Sequence, residues 1–177
     1  MEVLFFESFW LSPTPYVPAS RYKNQSICPR ICPHIVVKKK DMSTPVSLYN
    51  VHLDHVSEEA RMEGIYQITD TISDYKKKMN SPTFILGDFN AQPYSKTISF
   101  LKLYNNSEFV DLSENTGITY HEFRGEQMPE NGKSVKIDYI FADKVTAKKP
   151  HIVTKWKDEQ NGIFLSDHYP ICLEIEI

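Results

Sequence analysis

The stretch Phe84-Ile85-Leu86-Gly87-Asp88-Phe89-Asn90 decides how the rest of the chain can be arranged. The apolar run from Thr83 to Leu86 has the length of a strand and no polar side, which is typical of a strand in the middle of a sheet. Gly87 relaxes the backbone and lets another segment approach closely. Asp88 and Asn90 are two positions apart and share one side of an extended segment. A carboxylate beside a carboxamide suits phosphate chemistry, although so short a motif is also common in ordinary strand-end turns.

The composition limits the class of protein. A chain of 177 residues is expected to form one domain, residues 1–177, with a real core. The formal net charge of −3 gives no basic field that would coat nucleic acid indiscriminately. Three cysteines form no disulfide framework, and Met1 to Trp10 lacks a basic secretory leader, so a cytoplasmic location is expected. No apolar run reaches the roughly 18 residues of a membrane span.

Strand patterns recur along the whole chain. The expected strands, beside the central one, are Val3 to Phe6, Cys28 to Val37, Leu48 to Leu53, Val135 to Phe141, Ile152 to Lys157 and Ile171 to Ile177. The second and third of these form a hairpin around the charged turn Lys38 to Asp41. Three prolines between Ser12 and Ser20 predict an extended loop.

Two segments have helical patterns. Ser57 is a good N-cap for a helix whose apolar residues Ile65, Ile68, Ile72, Tyr75 and Met79 follow helical spacing. Lys76 to Lys78 are expected to fill its last turn, a position that explains this basic run better than nucleic-acid binding does. A second helix is predicted within Ser95 to Tyr104, and Asn131-Gly132 predicts a tight turn. Strands interleaved with two helices indicate a mixed α/β layered fold.

Four short polar motifs lie at the edges of apolar strands. They are Asn50-Val51-His52-Leu53-Asp54-His55, Gly87-Asp88-Phe89-Asn90, Lys136-Ile137-Asp138-Tyr139 and Ser166-Asp167-His168-Tyr169-Pro170. Each motif alone also fits turn chemistry or a hydrogen-bonded structural histidine. Their coincidence in one chain indicates a shared site.

These motifs, in this order and approximate spacing, resemble those of the endonuclease/exonuclease/phosphatase superfamily. Phe9-Trp10-Leu11-Ser12 and Pro29-Arg30 are also similar to stretches in that family, so the resemblance covers essentially the whole chain. It implies a deoxyribonuclease I-like fold, a layered β-sandwich flanked by helices. It also implies hydrolysis of phosphodiester or phosphomonoester bonds with Mg²⁺ or Mn²⁺ as cofactor.

The resemblance assigns roles to four catalytic candidates. Asp88 would orient or deprotonate the attacking water, and Asn90 would hold that water and a phosphoryl oxygen. His168 would contact the scissile phosphate and stabilise its developing charge. Asp138 would fix the tautomer of His168 through a hydrogen bond.

Further residues would bind the metal and the substrate. Asp167, together with Asp88, would ligate the divalent cation, because oxygen ligands favour hard cations. His52 would face the phosphate from the opposite strand as a further catalytic residue, and Arg30 would pair with a substrate phosphate. Support groups near the site would be Asp54, His55 and Arg61.

Relatives in that family begin with two strands that carry an asparagine and a metal-binding glutamate, and neither strand is recognisable here. The chain is therefore expected to correspond to the C-terminal two-thirds of such a domain, truncated at its N-terminus, with sheet edges and apolar faces left open to self-association. Two functions follow as hypotheses. One is a metal-dependent phosphoesterase with nucleic acid as the preferred substrate class, and the other is a catalytically impaired relative that binds phosphate-bearing ligands without turnover.

A soft metal site built on Cys28, Cys32 and His34 is the other metal hypothesis. The fourth ligand would have to be Cys172 or another distant histidine, and neither the spacing nor the pairing resembles a zinc motif. The two cysteines are better interpreted as small strand or loop residues.

Overall fold

The computed structural model describes residues 1–105, 109–125, 135–143, 146–147, 151–152, 157–158 and 161–176. The first elements in chain order are strands β1 (Glu2–Trp10), β2 (Ile31–Lys38) and β3 (Val46–His52), helix α1 (Glu58–Lys76), strand β4 (Thr83–Asp88) and helix α2 (Lys96–Leu103). They are followed by the short strand β5 (Val110–Asp111), a 3₁₀ turn at Glu114–Thr116 and strand β6 (Asp138–Ala142). Two-residue strands follow, namely β7 (Thr146–Ala147), β8 (His151–Ile152), β9 (Lys157–Asp158), β10 (Ile163–Phe164), β11 (Ile171–Cys172) and β12 (Ile175–Glu176).

One mixed sheet organises the fold. Its six strands lie in the order β1-β2-β3-β4-β6-β5. β4 runs parallel to β3 and antiparallel to β6, so the prediction that the stretch around Leu86 is a central strand is confirmed. The antiparallel pairing of β2 with β3 confirms the predicted hairpin. The short strands form the pairs β10-β9, β11-β8 and β12-β7.

Both helices belong to the main apolar cluster. This cluster joins Ile65, Ile68 and Ile72 of α1 and Ile98 and Leu101 of α2 to sheet residues that include Tyr49, Ile85 and Phe141. Each fully buried aliphatic side chain of this kind contributes roughly 1.5–3 kcal/mol relative to exposure. The prediction of an α/β fold with two helices is thus confirmed.

The start of α1 matches the sequence pattern, and its end is earlier than expected. The Ser57 hydroxyl accepts a hydrogen bond from Ala60 N at 3.1 Å, as an N-cap should. The helix ends at Lys76, and Lys77 is its C-cap. Only the first residue of the lysine run therefore lies in the last turn, and the expectation that Lys77 and Lys78 do so too was wrong.

A second apolar cluster is centred on Phe84, Leu112 and Ala142. Leu173, between β11 and β12, and Ile175 of β12 pack against it. Next to this cluster an open cavity of about 750 Å³ is lined by Met1, Val37, Lys39, Met42, Val46, Leu48, Phe84, Leu86, Ile140, Leu173 and Ile175. β1 is an outer strand of the sheet, and Phe6 on it is 64% exposed. Apolar surface is therefore open at this edge and beside the second cluster.

Several predicted strand boundaries were wrong. β2 begins at Ile31 rather than Cys28, because Cys28 lies in a loop before the pairing with β1 starts. β6 begins at Asp138, and Val135 forms only an isolated bridge with Tyr120. The predicted strand Ile171 to Ile177 is split into β11 and β12 by Leu173 and Glu174. Residues 153–156, within the predicted strand Ile152 to Lys157, and the predicted Asn131-Gly132 turn lie outside the described residues.

No helix in the described part of the chain is long and apolar enough to cross a membrane.

Candidate functional site

The ends of three neighbouring strands bring polar residues together. In the sheet register, His52 at the end of β3 is opposite Asp88 at the end of β4, and Asp88 is opposite Asp138 at the start of β6. Gly87 makes the β3-β4 approach possible, because it has φ +128° and a Cβ there would lie 2.1 Å from the Val51 carbonyl oxygen. Gly87 therefore allows the close packing that places Asp88 beside His52 and Asp138.

The loop after β4 holds the Asp88 carboxylate in a fixed position. Asn90 adopts φ +48°, a left-handed conformation that asparagine tolerates. Its backbone N–H donates to Asp88 Oδ1 at 2.7 Å, and its side-chain Nδ2 donates to the Leu53 carbonyl at 3.0 Å. Asn90 thus ties Asp88 to the loop after β3. Its contacts with water and a phosphoryl oxygen stay predictions.

Asp138 and His168 form a direct pair. The distance from His168 Nδ1 to Asp138 Oδ2 is 2.8 Å. This hydrogen bond raises the pKa of His168 above its ordinary value, although partial burial opposes the shift. A proton on Nδ1 facing the carboxylate leaves Nε2 for contact with a substrate.

Asp88 lies in an unfavourable place for a lone carboxylate. Burial is the main cause that raises its pKa, and the nearby Asp138 carboxylate raises it further, while the Asn90 N–H lowers it. Ligand atoms of Asp88, Asp138 and His168 all lie within 4.8 Å of one another, which makes them a group that could hold a metal ion. A divalent cation would relieve the repulsion between the two carboxylates, so the donor set fits a hard cation. Asp167 is not a member of this group, and its role as a ligand stays a prediction.

His52 lies on the side of Asp88 that faces away from β6, and Arg30 lies near His52. His52 Nε2 lies 3.4 Å from Asp88 Oδ2, and its side chain is 62% exposed. Partial burial and the neighbouring Arg30 charge lower the pKa of His52, so its neutral form is favoured. An Arg30 guanidinium nitrogen lies 2.9 Å from His55 Nδ1. His55 therefore orients the arginine that was predicted to bind phosphate.

All seven residues predicted for the catalytic, substrate and metal sites line one open cleft of about 900 Å³. Its lining is Cys28, Arg30, His52, His55, Asp88, Asn90, Gln92, Tyr120, Val135, Ile137, Asp138, Asp167 and His168. The sequence motifs are spread over more than half of the chain, and folding collects them at one surface.

Asp54, which was predicted as a support group, is buried in the loop after β3. Its carboxylate accepts hydrogen bonds from Ser26 N at 3.0 Å, from Ser57 N at 2.7 Å, and from the Ser26 hydroxyl. Burial alone would raise the pKa of Asp54, but these hydrogen bonds hold it below its ordinary value. Arg61 donates to the Asp54 carbonyl at 2.8 Å. Asp54 and Arg61 thus fix the loops that carry Arg30 and His55.

Some residues of the site were given no role from the sequence. Gln92 lines the cleft. The buried Lys136 Nζ donates to the Asp138 carbonyl at 3.1 Å and to the Ser113 carbonyl at 2.9 Å. Thr119 is fully buried and contacts the backbone of Asp138. The position of Lys136 two residues before Asp138 could have indicated that it lies near the site, whereas no sequence pattern indicated this for Thr119.

The soft metal hypothesis finds no support in the described residues. Cys32 and His34 are both buried, and Cys28 is exposed. The Nε2 atom of His34 lies 2.8 Å from the Ser47 hydroxyl, and its ring stacks on Tyr49. No metal-binding group of three includes these residues in the described ranges. Cys32 and His34 are packing residues of the sheet.

Comparison with known proteins agrees with the geometry of the site. The sequence model of the endonuclease/exonuclease/phosphatase family matches residues 5–168. No curated protein sequence is significantly similar to the chain.

Solved structures share the fold. A conserved protein of unknown function from Enterococcus faecalis V583 is 29% identical with a TM-score of 0.84, and the match covers 99% of this chain and 66% of that one. The mannosyl-6-phosphatase Bt3783 of Bacteroides thetaiotaomicron VPI-5482 is 24% identical with a TM-score of 0.85, covering 99% and 67%. D. rerio TDP2 complexed with a single-strand DNA product is 15% identical with a TM-score of 0.73, covering 99% and 68%. The chain therefore spans about two thirds of the length of these proteins.

Proposed function

Because the chain belongs to the endonuclease/exonuclease/phosphatase family, whose members hydrolyse phosphoester bonds, we propose that it is a metal-dependent phosphoesterase acting at the cleft around Asp88. The observation that carries the proposal is the group Asp88, Asp138 and His168, whose ligand atoms lie within 4.8 Å of one another. Such a group provides a base, a charge-stabilising imidazole and a cation site within reach of one phosphate.

The protein side chains divide the chemistry between them. Asp88 takes the proton of the attacking water, a role that is favoured because burial and the nearby Asp138 carboxylate raise its pKa above the ordinary value. His168, whose pKa is raised by Asp138, donates a hydrogen bond to the phosphoryl oxygens as charge develops. His52 in its neutral form contacts the phosphate from the opposite side.

The cofactor is proposed to be Mg²⁺ or Mn²⁺. The carboxylates of Asp88 and Asp138 would hold it in the described structure, with Asp167 at the rim of the same cleft as the further ligand expected from the sequence. When bound, the cation neutralises phosphate charge. Arg30, oriented by His55, adds a second positive charge from the protein itself.

The preferred substrate class is nucleic acid. Arg30, His55 and Tyr120 extend the cleft beyond the metal-binding group, so a substrate with a second phosphate or a ring next to the scissile bond has groups to contact. A phosphomonoester such as a sugar phosphate is the alternative substrate. One solved relative of this fold carries a single-strand DNA product, and another is a sugar phosphatase.

The test is hydrolysis of bis(p-nitrophenyl) phosphate by the purified chain with Mg²⁺ or Mn²⁺. Asp88→Asn keeps the shape of the side chain and removes the base, so it should abolish turnover. Asp70→Asn makes the same chemical change on an exposed residue of α1 and should leave the rate unchanged. Equal rates in wild type and Asp88→Asn would rule out this site as the source of hydrolysis. A comparison of single-stranded DNA with mannose 6-phosphate then decides the substrate class.

The second candidate function is phosphate-ligand binding without turnover. It is favoured by the cleft lining, which contains no glutamate among the described residues. Folded protein that binds a single-stranded oligonucleotide in a His168-dependent manner, yet hydrolyses neither substrate with either metal, would establish binding in place of catalysis.

A further inference from the structure

The segment from Thr119 to His121 lies between the two backbone stretches that carry Asp138 and His168. On one side, Tyr120 N donates to the Val135 carbonyl at 2.9 Å. On the other side, Tyr169 N donates to the Thr119 carbonyl at 2.7 Å, and His121 N donates to the Asp167 carbonyl at 2.8 Å. Isolated bridges pair Tyr120 with both Val135 and His168. One short segment therefore fixes both stretches relative to each other.

The hydroxyl of Thr119 makes a separate pair of contacts. Its Oγ1 accepts hydrogen bonds from Ile137 N and from Asp138 N, each at 3.0 Å. The Thr119 side chain is 0% exposed, so water cannot readily replace these contacts. A single residue thus contacts the Asp138 backbone through its side chain and the residue after His168 through its carbonyl.

We propose that Thr119 is a positioning residue, which sets the distance between Asp138 and His168 through its hydroxyl. The effect that we expect on kcat rests on the phosphoesterase function proposed above. Its structural part is the 2.8 Å hydrogen bond between His168 Nδ1 and Asp138 Oδ2, which exists whether or not the protein turns over a substrate.

The expected effect follows from the geometry. Without the hydroxyl, the N–H groups of Ile137 and Asp138 lose their acceptor, and the backbone must shift to find another one. A shift of about 1 Å in a catalytic group can lower a rate by roughly 100-fold. We therefore expect Thr119→Val to lower kcat by about 10- to 100-fold with KM changed by less than about threefold, since the substrate-binding surface stays in place.

Conservative variants separate the hydroxyl from the packing. Thr119→Ser keeps the acceptor and loses one methyl group, so it should retain kcat within about threefold. Thr119→Ala removes the acceptor without adding volume and serves as the second test if Thr119→Val folds poorly. Thr97→Val is the matched control, because Thr97 is also 0% exposed and its Oγ1 has no hydrogen-bond partner in the described chain. This control should leave kcat unchanged.

The readout that is independent of turnover is the downfield proton NMR signal of the His168 Nδ1–H that faces Asp138. His168→Gln identifies the signal by removing it. Wild type, Thr119→Ser and Thr97→Val should show the signal at the same position, and Thr119→Val or Thr119→Ala should shift or broaden it. An unchanged signal in both variants that lack the hydroxyl, or an equal loss in Thr119→Ser, would overturn the proposal. If the wild type shows the signal but hydrolyses nothing, the proposed function fails while the positioning of the pair is still tested.

Discussion

Gly87→Ala should destabilise the protein more than the same change at Gly64, Gly117, Gly125 or Gly162. The added Cβ would lie 2.1 Å from the Val51 carbonyl oxygen and 3.0 Å from Asn50 Oδ1, and φ at this position is +128°. No side-chain rotation relieves a clash with backbone. The strained backbone costs about 1–3 kcal/mol, and overpacking costs about 1–3 kcal/mol more. A loss of about 4 kcal/mol is a large part of the roughly 5–15 kcal/mol that stabilises a typical domain.

Gly117→Ala separates the two contributions. Gly117 also has a positive φ, +76°, but a Cβ there would have no heavy atom within 4 Å. Only backbone strain should appear, about 1–3 kcal/mol. The assay is urea unfolding followed by far-UV circular dichroism. If Gly87→Ala lowers the free energy of unfolding no more than Gly117→Ala does, the close approach of β3 and β4 at this point is not a real constraint.

Three further perturbations test the site and its support. Asp138→Asn should lower the pKa of His168 towards its ordinary value in an NMR titration and reduce kcat by about 100-fold, and an unchanged pKa would contradict the pairing. Asp54→Asn should lower the free energy of unfolding by about 2 kcal/mol, because it weakens the charge-assisted hydrogen bonds from Ser26 and its neighbours. Burial lowers the pKa of His34 in the folded state, so its contribution to stability is present above about pH 6.5 and is lost as the pH falls below that value. In urea titrations at about pH 7.5 and 5.5, His34→Gln should lose less stability on acidification than wild type, and an equal loss would refute this account.

The elements with local signals were predictable from the sequence. The N-cap of α1 at Ser57 and its buried residues Ile65, Ile68 and Ile72 were found where the pattern placed them, whereas Met79 lies beyond the end of the helix at Lys76. β4 is an apolar run that lies between β3 and β6, so its central position was also predictable. Strand ends were less predictable. Val135, for example, is a residue type common in strands, yet it forms only an isolated bridge with Tyr120. Pairing between distant segments sets such boundaries, and composition does not encode it.

The residues of the cleft were predictable for a different reason. Polar groups at the ends of apolar strands meet when those strands are neighbours in one sheet, and the sheet register places His52, Asp88 and Asp138 side by side. The sequence could not show that Asp138, rather than Asp167, joins Asp88 and His168 in the compact group. That outcome depends on where the loop before Tyr169 lies, and a loop is positioned by contacts from other parts of the chain.

Thr119 belongs to no motif, yet its contacts help to determine the geometry of the site. Its sequence neighbourhood gives no hint of function, since one threonine between apolar and aromatic residues is typical of an ordinary extended segment. Its importance comes from having the β6 backbone on one side and the His168 loop on the other. Strand register alone brings Asp88 and Asp138 together, because a one-residue slip would turn either carboxylate to the opposite face. The position of His168 is not fixed by a strand, because it lies between the short strands β10 and β11 and its backbone pairing is an isolated bridge with Tyr120. The precision of the Asp138–His168 contact must therefore come from the segment between them, and a hydroxyl that accepts two backbone hydrogen bonds is the part of that segment that a single substitution can remove.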